Sequence, residues 1–93
     1  MPTHSLVKQY LTQFYNVNVA RYIKQKKYKQ LKQIYLKLIN ISKTAVNYQN
    51  LAIIMFNYLD EKKQSVYYFK QAIKLNPNLP QVNNIKNIIK RYQ

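Results

Sequence analysis

The chain has no glycine, no cysteine and no tryptophan, and only two acidic residues among its 93. Without cysteine there are no disulfides and no thiolate metal sites. Without glycine, tight β-hairpins lose the residue that most easily takes positive φ, and a glycine-rich phosphate loop has no material. Long apolar runs are missing too. The longest, Leu51 to Phe56, is far short of the ~20 residues needed to span a bilayer. Carboxylates are confined to the adjacent Asp60 and Glu61, and His4 is the only histidine. Paired acid-base chemistry, carboxylate metal sites and a Ser-His-Asp arrangement therefore lack their parts. These absences point to a single all-α domain with no catalytic role, no cofactor, no metal and no small-molecule substrate.

What is abundant is positive charge. Sixteen Lys and Arg give a formal net charge of +14, which suits nucleic acid, an anionic membrane or an acidic protein surface. Lys, Asn, Ile and Tyr together make 45 of the 93 residues, and all four have A/T-rich codons. Part of the lysine excess is therefore compositional drift. The codons of Asp and Glu are of intermediate composition, so the depletion of acids is the functional part of the imbalance. The stretch from Met1 to Lys24 contains Lys8, Arg21 and Lys24, no acid, and an amphipathic pattern. That is the composition of a mitochondrial targeting segment, read here either as an uncleaved internal signal or as the first helix of the fold.

Apolar spacing divides the chain into helices. Pro2-Thr3 can open the first, with Thr3 or Ser5 as cap. Leu6, Tyr10, Leu11, Phe14 and Val17 follow on one face. Asn16 and Asn18 either break this helix or let it run on to Gln25. Tyr28, Leu31, Ile34, Tyr35, Leu38 and Ile41 form a second stripe, and Ser42 to Thr44 can end it and cap the next helix. Tyr48, Leu51, Ala52, Met55, Phe56 and Leu59 form a third. Asp60-Glu61 then stand where carboxylates would cap a helix opening near Lys62. Ser65, Val66, Phe69, Ala72, Ile73 and Leu75 carry the fourth stripe to Asn76-Pro77, where proline stops it. Leu79, Val82, Ile85, Ile89 and Tyr92 make the last, with Asn83, Asn84, Lys86, Asn87, Lys90 and Arg91 outside.

The stripes repeat. Residues 28–43 overlay residues 62–77 with Leu31 on Ser65, Tyr35 on Phe69, Leu38 on Ala72 and Ile41 on Leu75, a constant offset of 34. Carried upstream, the offset pairs Phe14 with Tyr48, Val17 with Leu51 and Tyr22 with Phe56.

A helical pair recurring at this period resembles the tetratricopeptide repeat. In the second copy, about residues 45–78, Tyr48, Leu51, Ala52 and Met55 or Phe56 match the first-helix signature. Ser65, Phe69, Ala72 and Pro77 match the second-helix signature. The first copy, about 11–43, is degenerate: Leu31 and Leu38 replace small residues and no proline closes it. The Asp60-Glu61 loop is one residue longer than the family's and lacks its glycine. The resemblance implies a right-handed stack of antiparallel helical hairpins, five or six helices in all. It would comprise an N-terminal helix and degenerate repeat (about 3–43), a repeat (45–78) and a closing helix (79–93). It also implies a concave protein-binding groove, which transfers to Tyr15, Asn16, Val19 and Tyr22 of the first copy. From the second copy it takes Gln49, Asn50, Ile53, Phe56 and Asn57. These places hold mostly Tyr, Gln and aliphatics, so the carboxylate clamp of the family's chaperone-binding members is not implied.

A second candidate surface is basic. Arg21, Lys24, Lys26, Lys27, Lys29 and Lys32 cluster around the turn between two expected helices. One reading is a phosphate-facing patch on RNA or anionic lipid, with Tyr22 and Tyr28 interleaved for stacking. The other is a solvated face with its tyrosines turned inward. Two arginines against fourteen lysines disfavour base-specific readout, which relies on bidentate arginine. The expected function is a non-catalytic scaffold subunit in a large, organellar assembly, most readily mitochondrial. The alternative is an RNA-contacting subunit of a ribosome or ribonucleoprotein. Two repeats are near the minimum for such an array, so partners would supply part of its stability.

Overall fold

The computed structural model describes residues 2–93, with side chains described at Gln9 and from Gln13 onward. The caps expected at Thr3 or Ser5, and the side chains of His4, Leu6, Lys8, Tyr10 and Leu11, lie outside the described side chains. Five helices account for the described fold: α1 (Pro2–Lys24), α2 (Tyr28–Ile41), α3 (Ala45–Tyr58), α4 (Lys62–Leu75) and α5 (Val82–Tyr92). No strand is present among the described residues. Among the described residues, backbones approach closely only between helices adjacent in sequence, so the chain folds back and forth as a serial stack of 43 × 31 × 19 Å.

The residues at the joints explain why the helices stop where they do. Thr44 caps α3, its Oγ1 accepting from the Asn47 amide at 3.1 Å, as the polar Ser42–Thr44 segment leads one to expect. At the end of α4, Asn76 is held extended before Pro77, and its Oδ1 accepts from the Asn78 amide at 3.0 Å. The two remaining turns must reverse direction without glycine. They do so through Lys26 and Asp60, which occupy the left-handed region.

The repeat period is a property of the backbone. The offset that takes Tyr28, where α2 begins, to Lys62, where α4 begins, also takes the last residue of α2, Ile41, to the last of α4, Leu75. Their last turns close alike: the Ser42 amide donates to the Leu38 carbonyl and the Asn76 amide to the Ala72 carbonyl. The core follows the stripes of α2 to α5, with Leu31, Leu38, Leu51, Phe69 and Ile85 fully buried. Each is worth about 1.5–3 kcal/mol of burial. Ala52, Ser65 and Ala72 are also fully buried. Their small side chains let α3 and α4 pack closely, and the Ser65 hydroxyl is satisfied by the Lys62 carbonyl at 2.6 Å.

Two sequence expectations are corrected. First, the upstream pairings do not hold. Phe14 and Val17 are 53% and 65% exposed, whereas Tyr48 and Leu51 are 9% and 0%. The face of α1 that packs inward is Tyr15, Val19 and Tyr22, which align with Tyr48, Ala52 and Met55 at an offset of 33. The turns give the reason. The Lys27 amide bonds the Tyr22 carbonyl five residues back, while the Glu61 amide bonds the Met55 carbonyl six residues back. Both turns hold three residues between the helix ends, but the second closes over one residue more, in the last turn of α3, so the packing register upstream of it shifts by one. Second, neither acid caps α4. Glu61 occupies the cap position without a side-chain cap bond, because its carboxylate is taken by Lys32, whose Nζ lies 2.9 Å from both oxygens. Asp60 is exposed and pairs loosely with Lys62 at 3.6 Å. The helix break considered at Asn16–Asn18 does not occur: α1 runs through, and the Asn18 amide side chain donates to the Phe14 carbonyl at 2.9 Å.

Candidate binding surfaces

The groove residues assigned from sequence fall into two groups. In α3, Gln49, Asn50, Ile53 and Phe56 are half-buried and Asn57 is exposed. α5 lies against this side. Gln49 Nε2 donates to Gln81 Oε1 at 3.3 Å, and the Phe56 ring meets Tyr92 edge to face at 5.4 Å and Phe69 at 6.3 Å. A cleft of about 290 Å³ remains between α3, α4 and α5, walled by Ile53, Phe56, Phe69, Asn84, Ile85 and Ile88. Phe56 therefore seats the closing helix as well as lining the cleft. In α1 the one-residue shift rearranges the set. Tyr15, Val19 and Tyr22 pack against the core instead of lining a groove, and only Asn16 of the four is fully exposed. With the offset of 33, the counterparts of Gln49, Asn50, Ile53 and Phe56 are Asn16, Val17, Ala20 and Ile23, all exposed. Sequence reasoning missed the three apolar members of that set. The signal was the extra residue over which the second turn closes, which moves the upstream register.

The basic cluster is also divided. Lys26, Lys27 and Lys29 are exposed around a shallow hollow with Tyr28, Gln30 and Leu59. Lys24 is exposed at the end of α1. Arg21 lines a different hollow, on α1, with Gln13, Phe14, Val17 and Asn18. Lys32 is half-buried and neutralised by Glu61, which takes it out of the patch. The interleaved tyrosines are occupied. Tyr28 stacks on Tyr58 with centroids 4.1 Å apart and planes 10° from parallel. Tyr22 packs inward, with the Lys27 ammonium 5.9 Å from its ring. The turn thus presents lysines without a free aromatic platform.

A third surface emerges from comparing the odd-numbered helices. α3 and α5 each have a side that faces the preceding hairpin. On α3 it consists of Asn47, Leu51, Ile54 and Tyr58. Asn47 Nδ2 donates to the Ser42 carbonyl at 2.9 Å, Tyr58 stacks on Tyr28, and Leu51 and Ile54 are buried. Around α5 the same positions, one period on, are Gln81, just before the helix, and Ile85, Ile88 and Tyr92, against Gln49, Ile53 and Phe56. Around α1 they are Phe14, Asn18, Arg21 and, just past the helix, Gln25, of which Phe14, Arg21 and Gln25 are exposed. Among the described residues, no three His, Cys, Asp or Glu side chains come together, and no helix is long and apolar enough to cross a membrane. Compared with protein-family models, curated proteins and solved structures, the chain matches none.

Proposed function

We propose that the chain is a non-catalytic scaffold or adaptor of the tetratricopeptide-like type. It is a small subunit that holds neighbouring proteins together in a larger assembly, with the mitochondrion as its compartment. The observation that carries this reading is the recurrence of the hairpins, with α2 and α4 one period of 34 residues apart, which presents corresponding helix faces in series, some of them uncovered. A helical stack of this kind buries its units against one another and offers the remaining faces to partners. The exposed apolar residues Phe14, Val17 and Ile23 on α1 suit protein contact, and the α3–α5 cleft offers a second apolar seat. The test is a native pull-down of the tagged full chain, with and without RNase, followed by mass spectrometry. Protein partners that survive RNase support the scaffold reading. Partners that leave with RNA sink it.

The second reading, an RNA-contacting ribosomal or ribonucleoprotein subunit, rests on Lys24, Lys26, Lys27 and Lys29, exposed together at the α1–α2 turn. It requires binding that weakens steeply with salt, by about one unit of log–log slope per phosphate neutralised on a duplex. The stacked Tyr28 and paired Lys32 give it less material than the sequence offered.

A further inference from the structure

We propose that the open side of α1, formed by Gln13, Phe14, Val17, Asn18 and Arg21, receives an α-helix from an acidic protein partner. This deepens the scaffold reading and rests on it, naming one of its docking surfaces and the chemistry that fits there.

The shape of the occupant comes from the repeat. The side of α1 that carries Phe14, Asn18 and Arg21 is the counterpart of the sides by which α3 and α5 meet the preceding hairpin. In α3 that side is covered by a helix, α2. In α1 the same side exposes Phe14, and Val17, the counterpart of Asn50, is exposed along its edge in the same hollow. A helix fits there because the register that accepts one is already built into the following unit.

The charge of the occupant comes from what stands at the equivalent positions. Where α3 has Ile54, buried to 6%, α1 has the exposed Arg21. A helix covering this side must therefore meet a guanidinium as well as two apolar side chains. A carboxylate is the group that does so, through a short charge-assisted bond. The chain cannot provide that carboxylate to a second copy of itself. Its only acids, Asp60 and Glu61, lie at the start of α4 and face Lys62 and Lys32, and two copies would each bring a charge of +14. The opposite end of the stack is less suited to a helix. On α5, Lys86 takes the place of the fully buried Ala52, where a close approach needs a small residue.

The test uses the full chain and two synthetic helical peptides with the same leucine stripe, one flanked by glutamates and the other by lysines. Binding is read by fluorescence anisotropy. The glutamate peptide is expected to bind about tenfold or more tightly than the lysine peptide. Val17→Ser and Arg21→Glu are each expected to weaken it about tenfold, with circular dichroism unchanged because both side chains are exposed. Equal affinity for the two peptides overturns the proposal. So does the absence of binding, or binding that ignores Val17→Ser and falls instead with Ile53→Ser in the α3–α5 cleft. A dimer in sedimentation velocity that Val17→Ser dissolves also overturns it, naming a second copy as the occupant. The parent reading fails separately. If the native pull-down retains the same proteins with Val17→Ser as without it, the scaffold stands and this face does not. If the pull-down retains no protein while the glutamate peptide still docks on α1, this face stands and the scaffold does not.

Discussion

Lys26 and Asp60 stand one repeat period apart and share one backbone conformation, φ 57° and 56°. Both reverse the chain between the helices of a hairpin, at positions where glycine is the usual solution. A side chain in the left-handed region costs about 1 kcal/mol, less for Asp, whose short polar group tolerates it. Lys26→Gly is therefore expected to stabilise the fold by about 0.5–1 kcal/mol, and Asp60→Gly by less. Lys26→Val should destabilise it by more than the glycine gains. Urea midpoints at constant slope check all three.

The Lys32–Glu61 pair links α2 to the turn before α4, two segments far apart in sequence. It places one ammonium 2.9 Å from both carboxylate oxygens in a half-buried setting. Exposed pairs contribute about 0–1 kcal/mol, and this one is better placed than most. A double-mutant cycle with Lys32→Met and Glu61→Gln should give a coupling of about 1 kcal/mol. Raising the salt should reduce that coupling only in part, because half-buried charges are screened less. A coupling of zero would mean that Glu61 could equally have served as the cap the sequence suggested.

Close packing of α3 on α4 rests on Ala52 and Ala72, both fully buried. Ala52→Leu and Ala72→Leu should each destabilise by about 1–3 kcal/mol through overpacking. Leu38, which holds the position of Ala72 in the first hairpin, is already buried there, so Leu38→Ala should cost about 2–5 kcal/mol by opening a cavity. Destabilisation by enlarging the side chain at one position and by shrinking it at its equivalent, seen in thermal or urea unfolding, is the measurable sign that the two hairpins repeat in backbone but not in packing.

These contrasts show what the sequence carried. The stripes of α2, α4 and α5 were legible because their apolar residues recur mainly on one side, while α3 is apolar all round and was recognised by the repeat; Thr44 and Pro77 mark boundaries by local chemistry. α1 was harder. It is apolar on more than one side, so periodicity did not distinguish the inward Tyr15, Val19 and Tyr22 from the open Phe14 and Val17. A single residue in the closure of a turn, whose hydrogen bond spans six positions instead of five, decided the matter. The fate of Glu61 was hidden for a different reason. Its partner Lys32 is distant in sequence, and local capping rules cannot foresee a competing long-range ion pair. The basic patch was read as one cluster because sequence distance says nothing about which lysine is neutralised.

Tyr35 is buried in the core, and desolvation raises its phenol above the ordinary value of 10.0. The unfolded chain ionises this group near its ordinary value while the folded chain still holds its proton. Rising pH therefore draws the equilibrium toward the unfolded state. The stabilising contribution is complete below about pH 10 and is lost as pH climbs through the raised folded value. Unfolding midpoints measured from neutral pH to about pH 11 should fall at the alkaline end. Tyr35→Phe should fall less, which separates this group from the lysines that titrate in the same range.

α5 is held at the end of the stack by few anchors: Ile85 is its one fully buried residue, and Tyr92 meets Phe56 edge to face. In a serial stack each helix depends on its neighbours rather than on a shared centre. Loss of the Tyr92 ring should therefore loosen α5 without unfolding α3 and α4. Tyr92→Ala is expected to lower the opening free energy of α5 by about 1–2 kcal/mol, an edge-to-face contact plus lost burial. Native-state hydrogen exchange should show this as faster exchange across Val82–Tyr92, while the α3 and α4 amides keep their protection. Uniform acceleration throughout the chain would instead mean that α5 is cooperative with the rest, and that the closing helix is part of one indivisible core.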